Sequence, residues 1–301
     1  MKIVVGSRGS KLALIQSNWV VDSLKKEYPD MEFEIKVIKT KGDRIKDVAL
    51  DKIGDKGLFV REIEKELLDG SIDIAVHSMK DMPSETPENL MFVDIPKRED
   101  PRDVLILKEG YNSIEDIPKG GKIGTGSKRR KYQILKHRPD LNVLPIRGNI
   151  GTRINKIETE NLDGVILAAA GVLRLGWEDR ISMYIPPNII LPAPAQGALA
   201  IEIRENREDL KEMLNSIKDE KSNIQVKSER AFLKGVNGSC HIPIGAYCIV
   251  EGDNITLEGL FGDEDGKCIV RDTIKGKIGE EKELGYKLAD KILKEIDKDE
   301  R

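Results

Sequence analysis

A chain of 301 residues is longer than one ordinary domain and long enough to bury more than one core. Apolar residues at 39% beside charged residues at 34% exclude the disordered, fibrous and membrane-embedded classes. The net charge of −3 excludes nucleic-acid binding by bulk charge, so any basic function must be local.

The first hundred residues alternate strand and helix signals. Lys2–Gly6 is a short apolar run, and Leu12, Ile15, Trp19 and Leu24 mark one face of a helix from about Ser10 to Glu27. Phe33–Thr40 alternates like a half-buried strand; Leu58–Leu68 reads as a helix and Ile72–Val76 as a strand. Between them Lys41–Gly57 is rich in Gly, Lys and Asp with weak periodicity, which predicts a mobile lid or a disordered connection. Strand signals resume at Val104–Leu107, Lys122–Gly124, Asn142–Ile146 and Gly164–Ala168, with helices after the last three. This alternation predicts parallel sheets with crossover helices. Pro-bearing segments at 95–101 and 190–194 predict that the chain leaves a first domain, builds a second, and returns with a further strand at Ala198–Arg204. From about Ser222 a helix (Asn223–Lys234), three strand-like runs (Ile244–Val250, Ile255–Phe261, Cys268–Ile274) and a last helix (Glu280–Ile296) predict a small α+β domain. The expected domains are 1–97 with 195–217, 98–194, and 218–301.

The N-terminal Met-Lys-Ile-Val-Val-Gly has no apolar signal region, and the longest apolar stretch, Gly164 to Leu173, is far short of a bilayer span. Cys240, Cys248 and Cys268 form no CxxC pair and leave an odd number, which fits a reduced, cytoplasmic chain. Three Cys and three His show no metal-ligand spacing, so no metal is expected.

Residues 122–153 hold nine Lys or Arg against one Asp. Gly124-Thr125-Gly126-Ser127 follows a strand and opens a helix, so backbone N–H groups and the helix dipole would face an anion. Arg129 and Arg130 fall in that helix's first turn; Arg147-Gly148-Asn149 repeats the arrangement, with Arg153 four residues past Asn149. Both turns lie at C-terminal strand ends, where open α/β sheets bind ligands. The planar guanidinium fork matches a carboxylate with two parallel hydrogen bonds, so converging arginines select polycarboxylates or phosphates. A solvated basic helix face and a nucleic-acid patch are the alternatives, the second weakened by sparse aromatics. A P-loop is excluded, because Gly121-x4-Gly126 is followed by Ser-Lys rather than Lys-Ser/Thr. Gly6-Ser7-Arg8-Gly9-Ser10 is a third basic strand-to-helix turn, and together the three suggest an anion cleft between the first two domains.

The strand Ile72–Val76 runs on into His77-Ser78-Met79-Lys80-Asp81, which is either a plain turn closed by Pro83 or an acid/base group beside a lysine for an anionic ligand. Cys240, in Val236–Pro243, is either a buried hydrophobe or an exposed loop thiol.

These stretches, taken with Lys56-Gly-Leu-Phe59, Arg98-Glu-Asp-Pro-Arg-Asp103, Gly151-Thr-Arg153, Gln196-Gly197 and Cys240-His-Ile-Pro-Ile-Gly245, closely resemble the porphobilinogen deaminase (hydroxymethylbilane synthase) family in order and over nearly the whole chain. The resemblance implies two α/β domains of the periplasmic-binding-protein type (type II) forming a cleft, plus a small C-terminal α+β domain. It implies a dipyrromethane cofactor made from substrate and held by thioether at Cys240. It also implies condensation of four porphobilinogen molecules with loss of ammonia, then hydrolytic release of hydroxymethylbilane. Asp81 matches the catalytic carboxylate, and Arg8, Arg129, Arg130, Arg147, Arg153 and Arg174 match the arginines that neutralise substrate carboxylates. Ser10, Gln16, Ser78, Lys80, Thr125, Ser127, Gly148, Asn149 and Gln196 would add binding contacts. Lys52, Lys56 and Phe59 would act from the covering loop. Gly126 stands where many members have Ser, and Ala195 where Gly is common. The expected protein is a cytoplasmic monomer acting on porphobilinogen, without nucleic acid or membrane. The rival is a non-catalytic polycarboxylate binder on the same clamp, which would need neither Asp81 nor the Cys240 loop.

Overall fold

A computed structural model describes residues 2–44, 60–237 and 242–299. In chain order the elements are β1 (Lys2–Arg8), α1 (Lys11–Glu27), β2 (Glu32–Ile38), α2 (Lys41–Arg44), α3 (Arg61–Leu68), β3 (Ile74–Ser78), β4 (Leu90–Phe92) and β5 (Asp103–Leu107). There follow β6 (Lys122–Gly124), α4 (Lys128–His137), β7 (Asn142–Leu144), α5 (Ile150–Thr159), β8 (Gly164–Ala168), α6 (Ala169–Arg174) and β9 (Met183–Ile185). The chain ends with β10 (Leu199–Arg204), α7 (Glu208–Asn215), α8 (Glu220–Gly235), β11 (Ile244–Glu251), β12 (Asn254–Gly262), β13 (Ile269–Lys277) and α9 (Glu281–Asp299). Two compact units result: Met1–Glu99 with Ala198–Asn223, and Asp100–Gly197 with Ile224–Arg301.

The first unit is built on a five-stranded sheet of order β2-β1-β3-β10-β4. Side chains alternate across it. Ile3, Val5, Ile74, Val76, Ile201 and Ile203 share a core with Val20, Val21 and Leu24 of α1 and Leu210 and Leu214 of α7. Ala75 faces the other way and joins Ile63 and Leu67 of α3, with Ile38, Ile72 and Leu90. A strand covered on both faces reads as a continuous apolar run, as Ile74–Val76 does.

The second unit has a five-stranded sheet of order β7-β6-β8-β5-β9. Its pattern is that of the first sheet: second, first and third strands in parallel, then an inserted strand, then the fourth. The expectation of parallel sheets is therefore corrected to mixed ones. β10 runs antiparallel to β3 and β4, and β5 runs antiparallel to β8 and β9. Neither inserted strand is reached from its sheet neighbours by a strand–helix–strand crossover, the connection that enforces parallel pairing. The return of the chain into the first sheet is as expected, at Leu199–Arg204.

The same unit carries the antiparallel sheet β11-β12-β13. Phe232 of α8 and Leu284, Leu288 and Ile292 of α9 pack on its Ala246, Cys248, Ile255 and Leu257. The expected fold class is thus present: two α/β sheets of matching order and a small C-terminal α+β element. Lys41–Arg44 begins the segment expected to be a lid with a short helix, and 45–57 lies outside the described residues. No described helix is long and apolar enough to cross a membrane.

Candidate active site

In the first unit the expected residues gather on the ends of β1 and β3. Arg8 closes β1, and Ser10 is the N-cap of α1, its Oγ accepting from the Ala13 N–H at 3.2 Å. Gln16 is buried on α1, and its Nε2 donates to Ser78 Oγ at 3.0 Å, which ties the helix to the tip of β3. Past Ser78 the chain makes a 3-10 turn over Met79–Asp81. The Met79 N–H donates to Ala198 O at 3.0 Å and the Met82 N–H to Met79 O at 3.1 Å. Met79 and Met82 are each 3% exposed, so two buried thioether side chains pin the turn while Lys80 is half-buried and Asp81 exposed between them. The plain-turn and acid/base readings of Lys80-Asp81 are therefore compatible: the turn is what presents the carboxylate.

In the second unit two strand-to-helix turns abut. Ser127 caps α4 by accepting from the Arg130 N–H at 3.5 Å, and buried Thr125 accepts the Ser127 N–H at 3.3 Å. Asn149 caps α5, its Oδ1 accepting from the Thr152 N–H at 2.8 Å. A Cβ on Gly126 would lie 2.8 Å from the Ile146 carbonyl oxygen, so the glycine lets the first turn approach the second, which bears Arg147. Gly148 has φ +117°, a conformation open to glycine, and its carbonyl accepts from Arg153 Nε at 2.7 Å. Arg174 ends α6 and donates from Nη2 to Gly197 O at 2.6 Å. Buried Gln196 donates from Nε2 to Pro101 O at 2.7 Å and to Asp103 Oδ1 at 2.9 Å.

Arg129 and Arg130 are placed differently from the solvated alternative. Each is 5% exposed, and both are held by Asp103. Ser10, Ser127 and Asn149 also have a first duty other than ligand binding, as caps; a serine hydroxyl that accepts a backbone hydrogen bond still has its own proton to donate. Lys52, Lys56, Phe59 and Cys240 lie outside the described residues.

Two groups of charged residues were given no role by the sequence alone, although Asp103 and His77 fall within the motifs. Asp103 opens β5, and burial by itself would raise its carboxyl pKa; the charges and hydrogen bonds of Arg129 and Arg130 outweigh that and hold it well below the usual carboxylate range. The signal was there, since an Asp heading the buried strand Asp-Val-Leu-Ile-Leu needs a partner. In the first unit His77 of β3 lies with its Nε2 3.4 Å from Glu202 Oε2 of β10. Glu64 of α3 is a neighbour whose pKa is raised by burial first and by Glu202 next, against smaller opposing effects of His77 and Arg61. His77 Nε2, both Glu202 oxygens and Glu64 Oε1 are buried without a hydrogen-bond partner. Among the described residues no group of three or more His, Cys, Asp or Glu side chains could hold a metal ion.

The family model "Porphobilinogen deaminase, dipyromethane cofactor binding domain" matches residues 3–212, and "Porphobilinogen deaminase, C-terminal domain" matches 223–294. The porphobilinogen deaminase of Clostridium novyi (strain NT) is 62% identical over 299 residues, covering 98% of this chain and 100% of its own. That of Clostridioides difficile (strain 630) is 61% identical over 297 residues, covering 99% of each. Among solved structures the chain is similar to the probable amino-acid ABC transporter extracellular-binding protein ytmK of Bacillus subtilis, with TM-score 0.44, 13% identity and coverage of 72% of this chain and 90% of that one. With both family domains matched in order, and relatives of this identity aligned end to end, the chain belongs to the porphobilinogen deaminase family.

Proposed function

We propose that the chain condenses four porphobilinogen molecules head to tail with loss of ammonia and releases hydroxymethylbilane by hydrolysis, with Asp81 as its catalytic carboxylate. The observation that carries Asp81 is its exposure on a turn pinned by buried Met79 and Met82. A carboxyl there is free to protonate a departing amine and then to stand as an anion beside the positive charge left on a pyrrole nitrogen. Arg8, Arg147, Arg153 and Arg174 would pair with the acetate and propionate groups of the substrate and growing chain, with Lys80 and the cap residues adding donors.

The residues present fit a dipyrromethane group, which carries two carboxylates on each ring. Two buried guanidiniums in the second unit share one buried carboxylate, leaving positive charge for an anionic group to answer. When bound, the cofactor supplies a nucleophilic pyrrole carbon, so no protein nucleophile is required. Cys240 would hold it by thioether, and Lys52, Lys56 and Phe59 would serve from the preceding loop. Three domains, 1–97 with 195–217, 98–194 and 218–301, are supported by three sheets, each with its own core. A net charge of −3 and an odd number of cysteines with no CxxC pair support a cytoplasmic protein that engages neither nucleic acid nor membrane, and we read it as a monomer.

Intact mass of the denatured protein tests the attachment. The expected result is an adduct in the wild type that is absent from Cys240→Ser. An unmodified mass in fully active protein would overturn it.

A further inference from the structure

Asp103 is wholly buried at the head of β5. Its Oδ2 accepts from Arg129 Nη1 at 2.6 Å. Its Oδ1 accepts from Arg130 Nε at 3.0 Å, Arg130 Nη2 at 2.8 Å and Gln196 Nε2 at 2.9 Å. The other bonds of the two guanidiniums go to neutral carbonyls, Arg129 Nη1 to Leu191 O at 2.6 Å and Arg130 Nη1 to Ile166 O at 3.1 Å.

The charge of this cluster follows from its members. A guanidinium keeps its proton in proteins, and the charges and hydrogen bonds of the two arginines hold the Asp103 carboxyl well below the usual carboxylate range. Gln196 orients the carboxylate without changing the sum. One positive charge is left over, in a place where water does little to screen it. It also lies in the first turn of α4, where the helix dipole adds to it. A second carboxylate would leave no pull on an anion, and none at all would leave two like charges repelling at close range.

We infer that Asp103 is a positioning residue: it fixes Arg129 and Arg130 as a pair and, by answering one of their two charges, leaves a place for one ligand carboxylate. This rests on the reading that the two arginines serve the carboxylates of the substrate or cofactor. Asp103 touches no substrate; it acts through the guanidiniums it holds, and a rigid fork loses less on binding than a mobile one.

The test uses the full-length, cofactor-loaded protein. Asp103→Asn keeps the shape and removes the charge, Asp103→Glu keeps the charge and displaces it by one methylene, and Arg130→Gln removes one guanidinium. Two quantities are read: kcat/KM for porphobilinogen, and melting temperature in citrate against sodium chloride of equal ionic strength. Both Asp103 variants are expected to lose at least about tenfold in kcat/KM at a temperature where circular dichroism shows them folded. Asp103→Asn is also expected to gain more from citrate than the wild type, a response that a merely structural role would not alter. Folded Asp103 variants with wild-type kcat/KM and wild-type citrate response would overturn the inference. Should Asp103→Asn fail to fold, an unimpaired Asp103→Glu is enough to overturn it. Arg130→Gln separates this result from the underlying reading: wild-type kcat/KM there removes Arg130 from ligand binding, whereas loss there with unimpaired Asp103 variants refutes the positioning role alone.

Discussion

Asp81 and Glu64 are both acids of the first unit, and their surroundings give them opposite expectations. Asp81 is exposed on an anchored turn, so its replacement should leave the fold alone and act on chemistry. Asp81→Asn is expected to lower kcat by roughly 10²–10⁴-fold with an unchanged melting temperature; unimpaired turnover would remove Asp81 from its role. Glu64 is buried beside Glu202, and its folded-state pKa lies above the ordinary 4.5. Such a group supports the fold while protonated, and the support is lost as pH rises through the folded pKa. Glu64→Gln should therefore be more stable than the wild type near pH 8, with the difference shrinking toward pH 5. Urea unfolding at the two pH values checks this, and a pH-independent difference would count against it. Local sequence contains the acids but not their neighbours. Glu202 is far along the chain from Glu64 and His77; the pairing of β3 with β10 brings it beside His77, and α3 packed on the sheet brings Glu64.

At the scale of elements, three helices share one construction. α1, α4 and α5 each follow a strand and a short turn, and each opens on a side chain that accepts a backbone N–H: Ser10, Ser127 and Asn149. The caps were legible as residue types and helix starts, but reading them as ligand donors missed their structural duty. Asn149→Ala should cost about 1 kcal/mol of stability through the lost cap, measured by denaturant unfolding. No loss would mean that backbone geometry alone holds the turn. Ala195 shows the reverse case, a sequence departure that the backbone explains. It has φ +59° and is fully buried, a conformation that costs a residue with a Cβ about 1–2 kcal/mol, which is why glycine suits the position. Short elements escaped the sequence reading altogether. Leu90–Phe92, Met183–Ile185 and Glu208–Asn215 are too brief, or too mixed in composition, for periodicity to mark them.

For the whole molecule, the sequence by itself determined the family, the kinds and order of the longer elements, and the return of the chain to its first sheet. Those signals are local: apolar spacing reports which face of a helix or strand is covered, and the motifs lie in one order along the chain. Only the tertiary structure decided that β5 and β10 run antiparallel to their neighbours, because strand pairing is a choice among distant partners that local spacing does not encode. It also decided the state of Arg129 and Arg130. A run of basic residues at a helix start leaves a solvated face open as an alternative until a carboxylate 26 residues from Arg129 and 27 from Arg130 is found buried against them. Moving a guanidinium out of water is costly unless a counter-charge meets it, so the burial of both arginines of α4 depends on Asp103 arriving from β5.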